Sequence, residues 1–190
     1  MKMPYAVVTG GAGFIGSHLT KHLIHEGYQV KVLDNFSSGK LENLGQCNKS
    51  RMIIKKMDLK DFSETMDELK GADVVFHLAA DPEVRTSTTN PKSHYENNVQ
   101  ATFNVLEAMR LNNIKCVIFT SSSVVYGEAE VMPTPEDHAL NPISIYGATK
   151  LACEELISGY AKVFGIKALI LRPANIIGAN STHGVIFDFI

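Results

Sequence analysis

The sequence predicts an α/β fold: a doubly wound parallel sheet with helices on both faces. Three observations predict it. Strand-like and helix-like stretches alternate along the 190 residues. Several strand candidates are short and continuously apolar, such as Val74-Val75-Phe76 and Val117-Ile118-Phe119, as expected of strands covered on both faces of a parallel sheet. The first strand also runs into a glycine-rich turn that opens a helix, Thr9-Gly10-Gly11-Ala12-Gly13-Phe14-Ile15-Gly16. That strand–turn–helix unit is the dinucleotide-binding form of the Rossmann fold.

The first strand, 4–9, carries Tyr5-Ala6-Val7-Val8. Gly10 lets the chain turn sharply. Gly13 lets backbone approach a pyrophosphate with no Cβ between them, and Gly16 lets the helix pack closely on the strand. The helix of 14–26 then offers free N–H groups and its positive dipole end to an anion. The second strand, 29–33, ends at Asp34-Asn35. A carboxylate about 20 residues after the glycines is placed to accept hydrogen bonds from an adenosine ribose. It repels a 2′-phosphate, which favours NAD over NADP.

A short helix near 40–45 precedes the third strand, 51–57, which leads to Asp58-Leu59. Asp61 caps a helix of 62–70. The fourth strand, 73–78, runs into His77-Leu78-Ala79-Ala80. Asn90-Pro91 reads as a cap followed by proline at the first helical position, opening a helix of 91–112. The fifth strand, 115–120, leads to Thr120-Ser121-Ser122-Ser123. Asn141-Pro142-Ile143-Ser144 starts a helix of 145–164. The sixth strand, 167–172, leads to Arg172-Pro173-Ala174-Asn175, with a further short helix near 184–190. Polar or glycine clusters thus follow the strands, where such folds hold their ligands.

Composition narrows the function. A hydrophobic fraction of 45% supports one full core, and a net charge of −2 argues against nucleic acid as a partner. No run of about 18 apolar residues predicts a membrane span. Met1-Lys2-Met3-Pro4 leads straight into the first strand, with no room for a secretory leader. Cys47, Cys116 and Cys153 are scattered and read as reduced thiols of a cytoplasmic protein. The seven histidines show no ligand spacing with carboxylate support, so no metal is expected.

Tyr146-Gly147-Ala148-Thr149-Lys150 places a tyrosine and a lysine at i and i+4, on one helix face. A nearby ammonium stabilises phenolate, so Lys150 is expected to lower the Tyr146 pKa. Ser122 follows the strand expected beside the nicotinamide. Its hydroxyl can hold a substrate hydroxyl while Tyr146 removes the proton and hydride leaves the same carbon for NAD.

With these motifs the chain resembles the extended short-chain dehydrogenase/reductases, the NAD-dependent epimerase/dehydratases, and within them the UDP-glucose 4-epimerase type. The matching stretches run from Thr9–Leu19 through Asp34-Asn35, Asp58-Leu59, His77–Ala80, Asn97-Asn98-Val99, Ser121–Gly127 and Tyr146–Lys150 to Arg172–Gly178. The resemblance implies a catalytic group of Ser122, Tyr146 and Lys150. It implies that Gly10, Gly13, Phe14, Ile15 and Gly16 line the pyrophosphate, and that Asp34, Asn35, Phe36, Ser37, Ser38 and Gly39 surround the adenosine ribose. Asp58 and Leu59 then flank the adenine. Leu78, Ala79, Ala80, Asn97, Tyr146, Lys150 and Pro173 lie along the cofactor, with Asn98 able to exchange roles with Asn97. The substrate, a UDP-hexose, is expected to meet Ser122, Tyr146 and Asn175. Arg85, after the fourth strand, is expected to be solvated.

Departures from the family's other reactions point to epimerisation. The family's dehydratases carry Asp-Glu directly after the hydroxyl residue, where this chain has Ser123-Val124. Its decarboxylases carry a glutamate where this chain has Val124. Family members run to about 300 residues, beyond the usual size of one domain. Residues 1–175 are therefore expected to form the NAD-binding domain and 176–190 to begin a truncated substrate-binding region. The resemblance implies a homodimer through the helices of 91–112 and 145–164, with Val105, Leu106, Met109, Leu151, Leu156 and Ile157 as candidate contacts; packing against the chain's own sheet is an equal expectation for half of them.

Overall fold

The computed structural model describes residues 3–45, 48–83, 88–179 and 181. Six strands form one parallel sheet: β1 (Tyr5–Thr9), β2 (Gln29–Asp34), β3 (Met52–Lys56), β4 (Val74–His77), β5 (Cys116–Thr120) and β6 (Lys167–Leu171). Their order is β3-β2-β1-β4-β5-β6. The chain moves outward from β1 to β3, then crosses back to β4 and moves outward the other way. The crevice at the β1/β4 switch, outside the carboxyl ends of the strands, is where this topology binds ligands.

Helices α1 (Phe14–His25) and α2 (Leu41–Leu44) pack on one face. Helices α3 (Phe62–Glu68), α4 (Pro91–His94), α5 (Ala101–Leu111) and α6 (Ile145–Phe164) complete the set. Side chains alternate across β1: Ala6 and Val8 join Val30, Val32, Leu23 and Ile24, whereas Val7 joins Val75, Val117, Val105 and Ile157. The expectation of strands buried on both faces holds best for β1 and β2, whereas β4 and β5 are buried on one face and half-buried on the other. The edge strands are more open, with Ile53, Ile54, Leu169 and Leu171 exposed. An edge strand has a neighbour on one side only, and the helices cover the middle of the sheet.

The expected helix of 91–112 is one continuous rod with an inserted π-helical stretch, Tyr95–Gln100, between α4 and α5. Asn90 and Asp61 cap their helices as expected, accepting from the N–H groups of Ser93 and Glu64. Cys47, Arg85 and the helix expected near 184–190 lie outside the described residues.

His77 ends β4 and is fully buried. Its Nδ1 lies 2.7 Å from Thr9 Oγ1 and its Nε2 2.9 Å from Thr102 Oγ1. Thr9 Oγ1 already accepts the N–H groups of Leu78 and Ala79, both at 3.2 Å. Its proton therefore goes to Nδ1, and Nε2–H donates to Thr102. Burial, with help from the Lys150 charge, pushes the imidazole pKa from 6.5 down to about 3. The unfolded chain thus binds an extra proton between those values, so stability falls as pH drops through that window. The slope reaches about 1.4 kcal/mol per pH unit. Urea unfolding at pH 7, 5 and 4 should show this loss, and His77→Asn should flatten it. Equal slopes in the two proteins would remove His77 as the cause.

Candidate active site

The site forms where the strand ends meet. Parallel register sets Thr9 beside both Leu33 and His77, so the turns after β1, β2 and β4 open at one level. Gly10 has φ +67°, and a Cβ there would stand 2.8 Å from the Ala79 backbone nitrogen. A Cβ at Gly16 would collide with the Gly10 carbonyl oxygen. Gly16 is expected from the sequence to bring the helix onto the strand. The structure shows that its close contact is with the turn itself.

Gly13 occupies the N-cap of α1 and has no side chain to cap the helix, and the first turn carries no acidic residue. Asp34 at the end of β2 is 8% exposed. Its Oδ2 accepts the Ala12 N–H at 2.9 Å and its Oδ1 the Phe36 N–H at 2.8 Å. The carboxylate thus ties the ribose-side loop to the glycine turn, and each oxygen keeps a lone pair for a ligand hydroxyl. A cradle of glycines, an uncapped helix start and a fixed carboxylate fit a dinucleotide. Asp34→Ala is expected to weaken NAD binding about tenfold or more, since charge-assisted hydrogen bonds are the strong ones. Calorimetry giving wild-type affinity would sink the ribose assignment.

The remaining loop residues gather around this cradle. Asn35 Oδ1 accepts the Ser37 N–H at 3.0 Å, Ser38 is exposed, and Gly39 is buried against Asp34 and Ala12. Asp58 pairs with Lys60 at 3.3 Å, whereas the Leu59 side chain turns into the core. Leu78, Ala79 and Ala80 are half-buried at the β4 end. Lys60 Nζ reaches Asn97 Oδ1 at 3.2 Å. Asn98 is buried instead, accepting from the Asp81 N–H at 2.8 Å and donating to Thr149 Oγ1 at 2.9 Å. Successive residues of a helix point about 100° apart, which sends these two asparagines in different directions. The chain after β6 returns over α1: Phe14, Ile15, His18, Ile176, Ile177 and Gly178 line a cleft of about 230 Å³. Asn175 is exposed on that segment, and Pro173 offers its carbonyl to the Ser123 N–H at 2.9 Å.

Ser122, Tyr146 and Lys150 come together. Ser122 caps the short 3-10 turn Ser123–Tyr126, and its side chain hydrogen-bonds Tyr146. Tyr146 and Lys150 are 9% and 3% exposed on the inward face of α6. One expectation is corrected here. The Tyr146 pKa is raised and not lowered; Lys150 Nζ donates to the Thr120 carbonyl at 2.8 Å and lies 6.0 Å from the centre of the Tyr146 ring. Burial raises the Tyr146 pKa above 10, the Ser122 hydrogen bond opposes this, and the Asp81 charge adds to it. Burial also pushes the Lys150 ammonium down to about 8.

Several contributing residues escaped the sequence reading. Thr9 and Asn43 brace the turn, Asn43 Nδ2 donating to the Ala12 carbonyl at 2.9 Å. Nothing in the local pattern marks Asn43, whereas Thr9 opens the glycine motif without its bracing role being visible. Glu154 is different: it stands four residues after Lys150 on the same face and is buried, a spacing that was visible. Among the described residues no group of three or more His, Cys, Asp or Glu is placed to hold a metal ion, and no helix is long and apolar enough to cross a membrane.

A glycine turn opening a helix, on this strand order, defines the class of dinucleotide-binding Rossmann folds. The pattern of the NAD dependent epimerase/dehydratase family matches residues 6–190, and the chain belongs to that family. NAD is its cofactor, as the family description states and as a Brucella ovis neighbour illustrates. That neighbour, a UDP-glucose 4-epimerase in complex with NAD, is 36% identical with a TM-score of 0.83, covering 89% of this chain and 51% of its own. A UDP-galactose 4-epimerase structure is 51% identical with a TM-score of 0.89, covering 97% of this chain and 61% of its own. The UDP-glucose 4-epimerase of Corynebacterium glutamicum is 36% identical over 178 residues, 94% of this chain and 53% of that protein. The chain spans about half the length of the curated relatives it matches.

Proposed function

We propose that this chain is the NAD-binding part of a sugar-nucleotide 4-epimerase acting on UDP-hexoses. The observation that carries the reading is the meeting of Ser122, Tyr146 and Lys150 beside the glycine cradle. The absence of an acidic side chain at Ser123 and Val124 supports epimerisation over elimination. NAD supplies a hydride acceptor that also returns the hydride. Ser122 holds the C4 hydroxyl of the sugar. Tyr146 takes that proton as hydride leaves C4, and gives it back after the 4-keto sugar has turned its other face. Lys150 holds the nicotinamide ribose, and Asn175 meets a substrate phosphate. Residues 1–175 form the cofactor domain in this reading, and 176–190 begin the substrate-binding region.

The reading includes a cytoplasmic homodimer. The thiols of Cys116 and Cys153 are free. Of the six candidate contact residues, Val105, Leu106, Met109 and Ile157 take the other expected place and are buried in the chain's own core. Leu156 packs against that core, and Leu151 is half-buried. Tyr95, Phe103 and Phe164 are exposed aromatic residues of the same helices and supply the proposed contact.

The test is mass spectrometry and absorbance at the NADH band, before and after UDP-glucose is added to the purified chain. Bound NAD that becomes reduced supports a working site. Failure to form the 4-epimer from either UDP-glucose or UDP-N-acetylglucosamine, read by chromatography of the nucleotide sugars, would overturn turnover by this chain.

A further inference from the structure

The segment carrying Ser122 is fastened to α6 by a buried carboxylate that the mechanism above does not use. Glu154 lies one turn beyond Lys150 and two beyond Tyr146, on the same inward face. One of its oxygens accepts the Ser121 hydroxyl. The Arg172 guanidinium grips both oxygens: Nη2 donates to Oε2 at 2.7 Å, and Nε lies 3.1 and 3.2 Å from Oε1 and Oε2. Its Nη1 donates to the Tyr126 hydroxyl at 3.0 Å and the Glu136 carbonyl at 3.1 Å. The guanidinium also lies 5.0 Å from the centre of the Tyr126 ring. The Ser121 N–H donates to the Leu171 carbonyl at 2.7 Å. One ion pair therefore joins α6, the turn after β5 and the chain leaving β6.

We propose that Glu154, gripped by Arg172, is a positioning residue that sets the Ser122 hydroxyl against the Tyr146 phenol and aims the segment leading to Pro173 and Asn175. A buried ion pair is a weak source of stability beside apolar residues of similar volume. What a forked guanidinium–carboxylate pair supplies is direction. Here the direction it fixes is that of the exits from β5 and β6, the first of which carries Ser122 to Tyr146. A misplacement of about 1 Å at such a site slows turnover up to about a hundredfold. The proposal rests on reading Ser122, Tyr146 and Lys150 as the reacting group.

The test compares the wild-type chain with Glu154→Leu/Arg172→Leu, which removes both charges together, and with Arg172→Lys, which keeps the charge and loses the fork. Four quantities are read: melting temperature, NAD affinity, kcat and KM with UDP-glucose, and the 13C resonance of the Tyr146 Cζ, assigned through Tyr146→Phe. The double variant should fold and bind NAD within about threefold of wild type, with kcat down about tenfold or more, KM little changed and the Tyr146 resonance moved. A folded double variant with wild-type kcat and an unmoved resonance would overturn the proposal. Should the double variant not fold, Arg172→Lys decides by the same two readouts. A wild-type chain that turns over no UDP-sugar would overturn the functional reading alone, because the Tyr146 resonance still scores the clamp.

Discussion

Tyr146→Phe is expected to lower hydride transfer by about 10²- to 10⁴-fold while leaving NAD bound, the range that one positioned proton-transfer group supplies. The phenol is buried, hydrogen-bonded to Ser122 and carried by a helix whose inward face also holds Lys150. Removing one oxygen leaves the ring contact with His94 and the helix unchanged in shape. Bound cofactor is therefore retained and the substrate C4 proton has no acceptor. Single-turnover absorbance at the NADH band reads the step directly, and calorimetry reads the affinity. Unchanged turnover would remove Tyr146 from the mechanism. Since burial holds the phenol above its ordinary range, single turnovers of the unsubstituted chain across pH should show the rate rising towards alkaline values as the phenolate becomes more available. It should then fail as Lys150 loses its charge above about pH 8.

Gly16→Ala is expected to have the largest effect on the cofactor site, destabilising the chain by about 3 kcal/mol or more and abolishing NAD binding. The added Cβ would collide with the Gly10 carbonyl oxygen and stand 2.8 Å from the Gly11 Cα. Both are backbone atoms and neither can swing aside as a side chain does. The turn must open, and with it the Gly13 N-cap and the Asp34–Ala12 hydrogen bond move. Thermal unfolding and NAD titration check this together. A variant that melts like the wild type and binds NAD would show that the turn has room the geometry denies. Gly159, where an added Cβ would meet nothing within 4 Å, serves as the control: Gly159→Ala should be neutral or mildly stabilising, since alanine has the better helix propensity.

Much of the fold was legible because its signals are local. Each of the six strands lies within one residue of its expected ends, since short apolar runs bounded by polar turns leave few alternatives. The Asp61 and Asn90 caps were readable for the same reason. The long helix was legible as a helix but not for its π-helical stretch, which carries Asn98, bonded to the distant Asp81 and Thr149. The candidate interface residues show a related limit. Apolar residues on a helix do not by themselves say what covers them, and here the chain's own core takes Val105, Leu106, Met109 and Ile157.

The amino-acid order alone settled the glycine turn, the acid after β2 and the Tyr–Lys spacing, because each is a short-range relation between residues on one or two elements. Only the folded chain decided the electrostatics. Lys150 could reach a phenol or a carbonyl from the same helix position, and it reaches Thr120 because β5 ends beside it. His77 became a neutral strut between Thr9 and Thr102, residues 68 and 25 positions away. Glu154 became half of a clamp because β6 delivers Arg172 opposite it. Charge, burial and tautomer depend on which distant groups the fold brings within a few ångströms, and no local pattern carries that information.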